Sequence, residues 1–83
     1  MILVYFASVR EAVGMSSERR DVPEHVRTVG ELVSWLATQS DIHANALGDP
    51  VRLRFALDQN MVGAGTLLGD AKEFAIFPPV TGG

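Results

Sequence analysis

Thr28-Val29-Gly30-Glu31-Leu32-Val33-Ser34-Trp35-Leu36 carries the clearest helical pattern in the chain. Thr28 and Glu31 make a capping box. The threonine hydroxyl can accept from the backbone N–H of Glu31, and the glutamate can reach back to the N–H of Thr28. Val29, Leu32, Val33 and Leu36 then fall at i, i+3, i+4 and i+7, an apolar stripe that calls for one core face. Trp35 flanks the stripe and is expected to pack at its edge. The pattern fades near Gln39-Ser40. Ile42 to Leu47 adds another turn before Gly48-Asp49-Pro50 breaks the chain.

On either side of this helix the sequence reads as strand and turn. Residues 2–7, Ile2-Leu3-Val4-Tyr5-Phe6-Ala7, are β-branched, aliphatic and aromatic, a first strand. Val9 to Val13 is a short helical turn stopped by Gly14. Ser17 to Val22 alternates in polarity as a second strand, antiparallel to the first and ended by Pro23. Beyond the helix, Leu53, Phe55 and Leu57 alternate with Arg52, Arg54 and Ala56, a third strand with one wet side. Asp58-Gln59-Asn60 is a turn, Met61-Val62 a short extension and Gly63-Ala64-Gly65 a loop, and Phe74 to Phe77 is a last strand. This order predicts an α+β fold of the β-grasp kind: a mixed sheet on one main helix, with the first and last strands central and parallel. Residues 1–77 then form the β-grasp domain and 78–83 a projecting tail.

A chain of 83 residues fits one domain, and 47% hydrophobic residues suffice for a packed core. Acidic residues outnumber basic ones by 10 to 7, so the formal net charge of −3 argues against nucleic acid as a partner. No apolar run approaches the ~18 residues of a membrane span. The opening Met1-Ile2-Leu3-Val4 lacks the basic flank of a signal peptide, and the absence of cysteine suits a cytoplasmic setting. Arg19-Arg20 and Arg52/Arg54 read as solvated strand faces. His25 and His43 have no second ligand at metal spacing and read as solvated side chains, so no metal site is expected. Asp41, Asp49 and Asp70 sit where turns and caps favour aspartate.

The final Phe77-Pro78-Pro79-Val80-Thr81-Gly82-Gly83 points to function. Two prolines after a strand end ladder hydrogen bonding and hold the backbone extended. The small residues beyond them, ending in two glycines, leave only backbone at the tip. Such an arm reaches about 20 Å from Pro78 to Gly83 at ~3.3 Å per residue, slim enough for a narrow channel in another protein. A frayed end or linker remnant is the alternative, but it has no use for the prolines and the strand just before them.

Together, Ile2-Leu3-Val4-Tyr5-Phe6-Ala7 with Val9-Arg10-Glu11, the capped helix and the Phe77–Gly83 ending closely resemble the family of molybdopterin synthase small subunits, ubiquitin-like sulfur carriers. The likeness spans nearly the whole chain. It implies that an E1-like activating enzyme uses ATP to adenylate the carboxylate of Gly83, which is then converted to a thiocarboxylate. Pro78, Pro79, Val80, Thr81 and Gly82 would carry it into the large synthase subunit, where the sulfur goes to a cyclic pyranopterin. The resemblance implies a heterotetramer with that large subunit, and no cofactor held by this chain. Carriers for thiamine or tRNA thiolation share the fold and the Gly-Gly ending. A non-covalent β-grasp interaction module with an idle tail is the alternative from another class. The chain departs from the family in having Asp58 where a turn asparagine is common, and Asp70-Ala71-Lys72-Glu73 in place of Asp-Gly-Asp-Glu.

The first strand is apolar at every position from Ile2 to Ala7, although a sheet covered by one helix buries only one face. Either Leu3/Tyr5/Ala7 or Ile2/Val4/Phe6 therefore lacks a core partner, and such a patch marks an interface. Periodicity does not choose between the sets. The resemblance favours Phe6 outward beside Met61 and Phe77, as a docking patch shared by the activating enzyme and the large subunit.

Overall fold

The computed structural model describes residues 1–79. Its strands are β1 (Ile2–Tyr5), β2 (Ser17–Arg19), β3 (Arg54–Leu57), β4 (Asn60–Val62) and β5 (Glu73–Phe77). They form one mixed sheet in the order β2-β1-β5-β3-β4. β1 and β5 pair in parallel at its centre, with Leu3 opposite Phe74 and Tyr5 opposite Ile76, and every other pairing is antiparallel. This is the α+β, β-grasp arrangement expected from the element order. The helices are α1 (Ala7–Val13), α2 (Val29–Ala37) and α3 (Asp41–Ala46), followed by a 3-10 turn at Pro50–Arg52.

The core lies between the sheet and α2. Val29, Leu32, Val33 and Leu36 are all buried, together with Leu3, Tyr5, Phe55, Leu57, Phe74 and Ile76 from the sheet. Trp35 packs at the margin. Both bonds of the capping box form: Glu31 N–H donates to Thr28 Oγ1 at 3.1 Å, and Thr28 N–H to Glu31 Oε1 at 3.0 Å. The other first-turn donors are met by the segment after β4. Val29 N–H reaches the carbonyl of Thr66 at 3.0 Å, and Gly30 N–H that of Ala64 at 2.8 Å. These backbone groups would otherwise lack partners, since a helix cannot satisfy its own first turn. Gly30 allows this approach, because a Cβ there would lie 3.3 Å from the Ala64 oxygen.

Several elements are shorter than their sequence pattern suggests. β1 ends at Tyr5, because the carbonyl of Phe6 accepts from Val9 and Arg10 and turns the chain into α1. Ala7 enters that helix with φ at +50°, and Gly14 closes it at +87°. β2 stops at Arg19 instead of reaching Val22, and just past it Arg20 and Met1 exchange backbone bonds, both at 3.0 Å. Arg52 belongs to the 3-10 turn and not to a strand; Pro50 opens that turn, and Arg52 N–H bonds the carbonyl of Asp49. The turn at Asp58 (φ +47°) and Gln59 (φ +70°) is the left-handed two-residue hairpin loop that suits strand twist. Asp58 also accepts from the backbone N–H groups of Lys72 and Glu73, both at 3.0 Å, tying the hairpin to the start of β5. In the 68–71 turn the left-handed position falls on Gly69, so Ala71 is not asked to adopt it.

His43, read from sequence as solvated, is buried. Its Nε2 lies 2.8 Å from Glu18 Oε2 and its Nδ1 2.7 Å from Ser40 Oγ. Glu18 also accepts from the Tyr5 hydroxyl at 2.6 Å and from Arg20 Nε at 2.7 Å, and Arg20 reaches Gln39. One carboxylate on an edge strand thus gathers partners from β1, from Arg20 just past β2, and from α3. Burial pushes the Glu18 carboxyl up, but the hydrogen bonds from His43, Tyr5 and Arg20 outweigh it and hold the pKa below the ordinary value. Burial, helped by Glu18, pushes the Tyr5 phenol well above its usual range, so it stays a donor. A carboxyl with a lowered folded pKa stabilises at neutral pH, and that contribution disappears as pH falls through the ordinary value of 4.5 and below. Glu18→Gln is expected to cost about 2 kcal/mol at neutral pH, from weakening a set of charge-assisted hydrogen bonds. In denaturant titrations the gap from the native chain should narrow in acid; a gap that stays constant with pH would rule out this role for the carboxylate.

Candidate functional site

Alternation along the central strands settles which way the first strand faces. Leu3 and Tyr5 are buried, whereas Ile2 and Phe6 are 38% and 40% exposed. Ile2, Val4 and Phe6 therefore look away from α2. Parallel register carries this face across the sheet: Val4 is opposite Ala75, Ala75 opposite Ala56, and Ala56 opposite Met61. One row above, Phe6 N–H donates to the carbonyl of Ile76 at 3.1 Å, which brings Phe6 beside Phe77. Their rings stack with centroids 4.5 Å apart and planes 7° from parallel. Met61 is 63% exposed.

Phe6, Met61 and Phe77, singled out on sequence, line one apolar depression of about 490 Å³ with Ala7, Arg54, Pro78 and Pro79. The alanines at 56 and 75 form a low strip between the larger side chains. Flat stacked rings and a flexible thioether over such a strip offer shape and apolar area without a hydrogen-bonding demand. The depression has no acid–base pair and no nucleophile, so its chemical capability is binding. β5 ends at Phe77, and Pro78 and Pro79 continue from it along the rim. The positions of Val80, Thr81, Gly82 and Gly83 lie outside the described residues.

The sequence reading passed over Arg54 and Ala7 as parts of this site. Arg54 pairs directly with Phe77 across the antiparallel β5–β3 ladder and shares its face; strand alternation with Phe55 inward was the available signal. Ala7 had none, since its place follows from the turn at Phe6. Among the described residues no group of three histidine, cysteine or carboxylate side chains could hold a metal, and no helix is long and apolar enough to cross a membrane.

Comparison with known proteins agrees with this architecture. Residues 3–83 match the model of the ThiS family. The chain is 42% identical over 81 residues to the molybdopterin synthase sulfur carrier subunit of Escherichia coli (strain K12), covering 98% of this chain and 96% of that one. Among solved structures it is similar to SAMP1 from Haloferax volcanii, with a TM-score of 0.73 and 27% identity over 100% of this chain and 98% of the other. A second structure, of small archaeal modifier protein 1 from the same organism, gives a TM-score of 0.66 and 28% identity, with 96% and 97% covered.

The backbone of Phe6 is extended (φ −122°, ψ 148°) at the N-cap of α1, and its side chain caps nothing. An aspartate there loses the stacked ring, worth about 1 kcal/mol, and gains a helix cap of similar size. Phe6→Asp is therefore expected to fold with a Tm within about 5 °C of the native value. Thermal unfolding followed by circular dichroism tests this, and an unfolded variant would return Phe6 to the core.

Proposed function

The chain belongs to the ThiS family, and from that membership we propose that it is the sulfur-carrying small subunit of a molybdopterin synthase. The observation that carries the reading is the extent of the match. The family model runs to residue 83, and the 42% identity to a named sulfur carrier subunit covers almost all of both chains. The family match extends over the Gly-Gly ending.

Gly83 supplies the reacting carboxylate. A carboxylate resists nucleophiles because it is negatively charged and has no good leaving group. When an E1-like enzyme joins one carboxylate oxygen to the α-phosphate of ATP, pyrophosphate departs and the carbonyl gains AMP as a leaving group. The outer sulfur of a persulfide donor displaces AMP to give an acyl disulfide. A second thiol then cleaves the S–S bond, leaving with the donor sulfur as a disulfide and releasing a thiocarboxylate, a soft nucleophile that stays attached to a protein. The large subunit then receives Val80, Thr81 and Gly82 in a channel that narrows toward the two glycines, which carry no side chain, with Pro78 and Pro79 stiffening the approach. Its catalytic groups direct the sulfur to a cyclic pyranopterin. Phe6, Met61 and Phe77 dock against both proteins in turn, and a heterotetramer with the large subunit is the expected assembly. Neither metal nor cofactor is required of this chain, and its place of work is the cytoplasm.

A second reading is favoured by the likeness to small archaeal modifier protein 1. There the activated Gly83 would be taken by an amine of another protein instead of by sulfur. The two products separate by mass.

Incubation with the activating enzyme, ATP and a persulfide donor should replace one terminal oxygen by sulfur in the intact mass. The loaded chain should then yield dithiolene product with the large subunit and precursor. Removing Gly83 should abolish both while leaving the Tm and large-subunit binding unchanged. Binding of the docking variant Phe6→Asp to the large subunit should weaken by at least tenfold, about 1.4 kcal/mol. Persistent sulfur transfer without Gly83 would overturn the carrier reading.

A further inference from the structure

Pro78 and Pro79 stand between two hollows and line both. On one side is the apolar depression over Phe6 and Phe77. On the other is a hollow of about 310 Å³, whose polar lining includes Ser8, Asn45, Asp49 and Arg52. Arg54 borders the first hollow and Arg52 the second. Both arginines are exposed. Among the described residues the ion pairs all involve Glu18, with Arg20 and His43, so neither Arg52 nor Arg54 has a carboxylate partner. Among the described residues Asp49 is the one carboxylate lining either hollow, and its backbone carbonyl accepts from Arg52 N–H. A molecule of net charge −3 thus places two cations without a carboxylate partner among the described residues, one bordering each of the two hollows that Pro78 and Pro79 line.

We propose that Arg52 and Arg54 form a split guanidinium collar that pairs with carboxylates rimming the channel of the large subunit that takes the tail. The proposal rests on the sulfur-carrier reading and adds a partner chemistry to it. The occupant is a protein surface because the space between the two cations is apolar and stacked. A free anion would satisfy the charges and leave Phe6, Met61 and Phe77 wet. Charges at the edge of an apolar patch act mainly on encounter rate and orientation. One cation would attract an acidic rim without fixing the orientation of the domain, whereas two at different hollows set the angle at which Pro78 and Pro79 are presented. Arginine suits the task because its planar fork can hold a carboxylate with two hydrogen bonds.

The test uses the full chain and the purified large subunit from the same organism, with association measured by surface plasmon resonance at low and high salt. The Arg52→Gln/Arg54→Gln double variant should associate about tenfold more slowly at low salt and lose most of its salt dependence. Arg19→Gln, on the edge strand β2 opposite Ile2, should behave as the native chain does. Restoring charge with Arg52→Lys/Arg54→Lys should recover most of the rate. Circular dichroism confirms that each variant is folded. A native rate and salt dependence in the double glutamine variant, or an equal loss with Arg19→Gln, overturns the collar while leaving the carrier reading intact. Failure of the native chain to bind the large subunit overturns that reading, and the collar with it.

Discussion

In the parallel ladder between β1 and β5, Ile2 to Tyr5 run beside Glu73 to Ile76, and the main chain of Phe6 extends the pairing by one more bond. Most features of the molecule depend on this contact. It places Leu3 beside Phe74 and Tyr5 beside Ile76 under the helix, which sets the core. By alternation it also turns Val4 and Phe6 outward. The stack of Phe6 on Phe77 exists because the register brings the end of one strand alongside the end of the other. The diproline leaves from that same corner, so binding patch and tail root are products of one pairing.

The elements that the sequence revealed best are those set by local rules. The capping box at Thr28 and Glu31 needs only spacing, and it forms as read. The stripe from Val29 to Leu36 and the left-handed stop at Gly14 are equally local. What failed to show were ends set by distant partners. Nothing within Ser17 to Val22 says that pairing must cease at Arg19. Nothing near His43 announces Glu18, which lies on an edge strand 25 positions away. The patch was half legible: an apolar first strand demanded two buried faces or an interface, but only three-dimensional register could choose Ile2, Val4 and Phe6. Arg54 shows the same division, since its outward direction followed from alternation and its neighbour Phe77 did not.

The two faces of the sheet are held by different physics. The inner face is an aliphatic and aromatic core whose polar margin converges on Glu18, with every partner at hydrogen-bonding distance. That arrangement is sensitive to geometry and fixes where α3 lies against β2. The outer face carries no such network near Phe6, Met61 and Phe77. Apolar contact there tolerates small adjustments in geometry.

Because the two central strands come from the first and last parts of the described chain, the sheet cannot close while synthesis is still short of Phe77. β2, α2 and the β3–β4 hairpin can form contacts early, yet the strand that unites them is made late. Long-range pairing of this sort delays folding until nearly the whole polypeptide is available. An interrupted translation product would therefore lack the Phe6–Phe77 surface altogether.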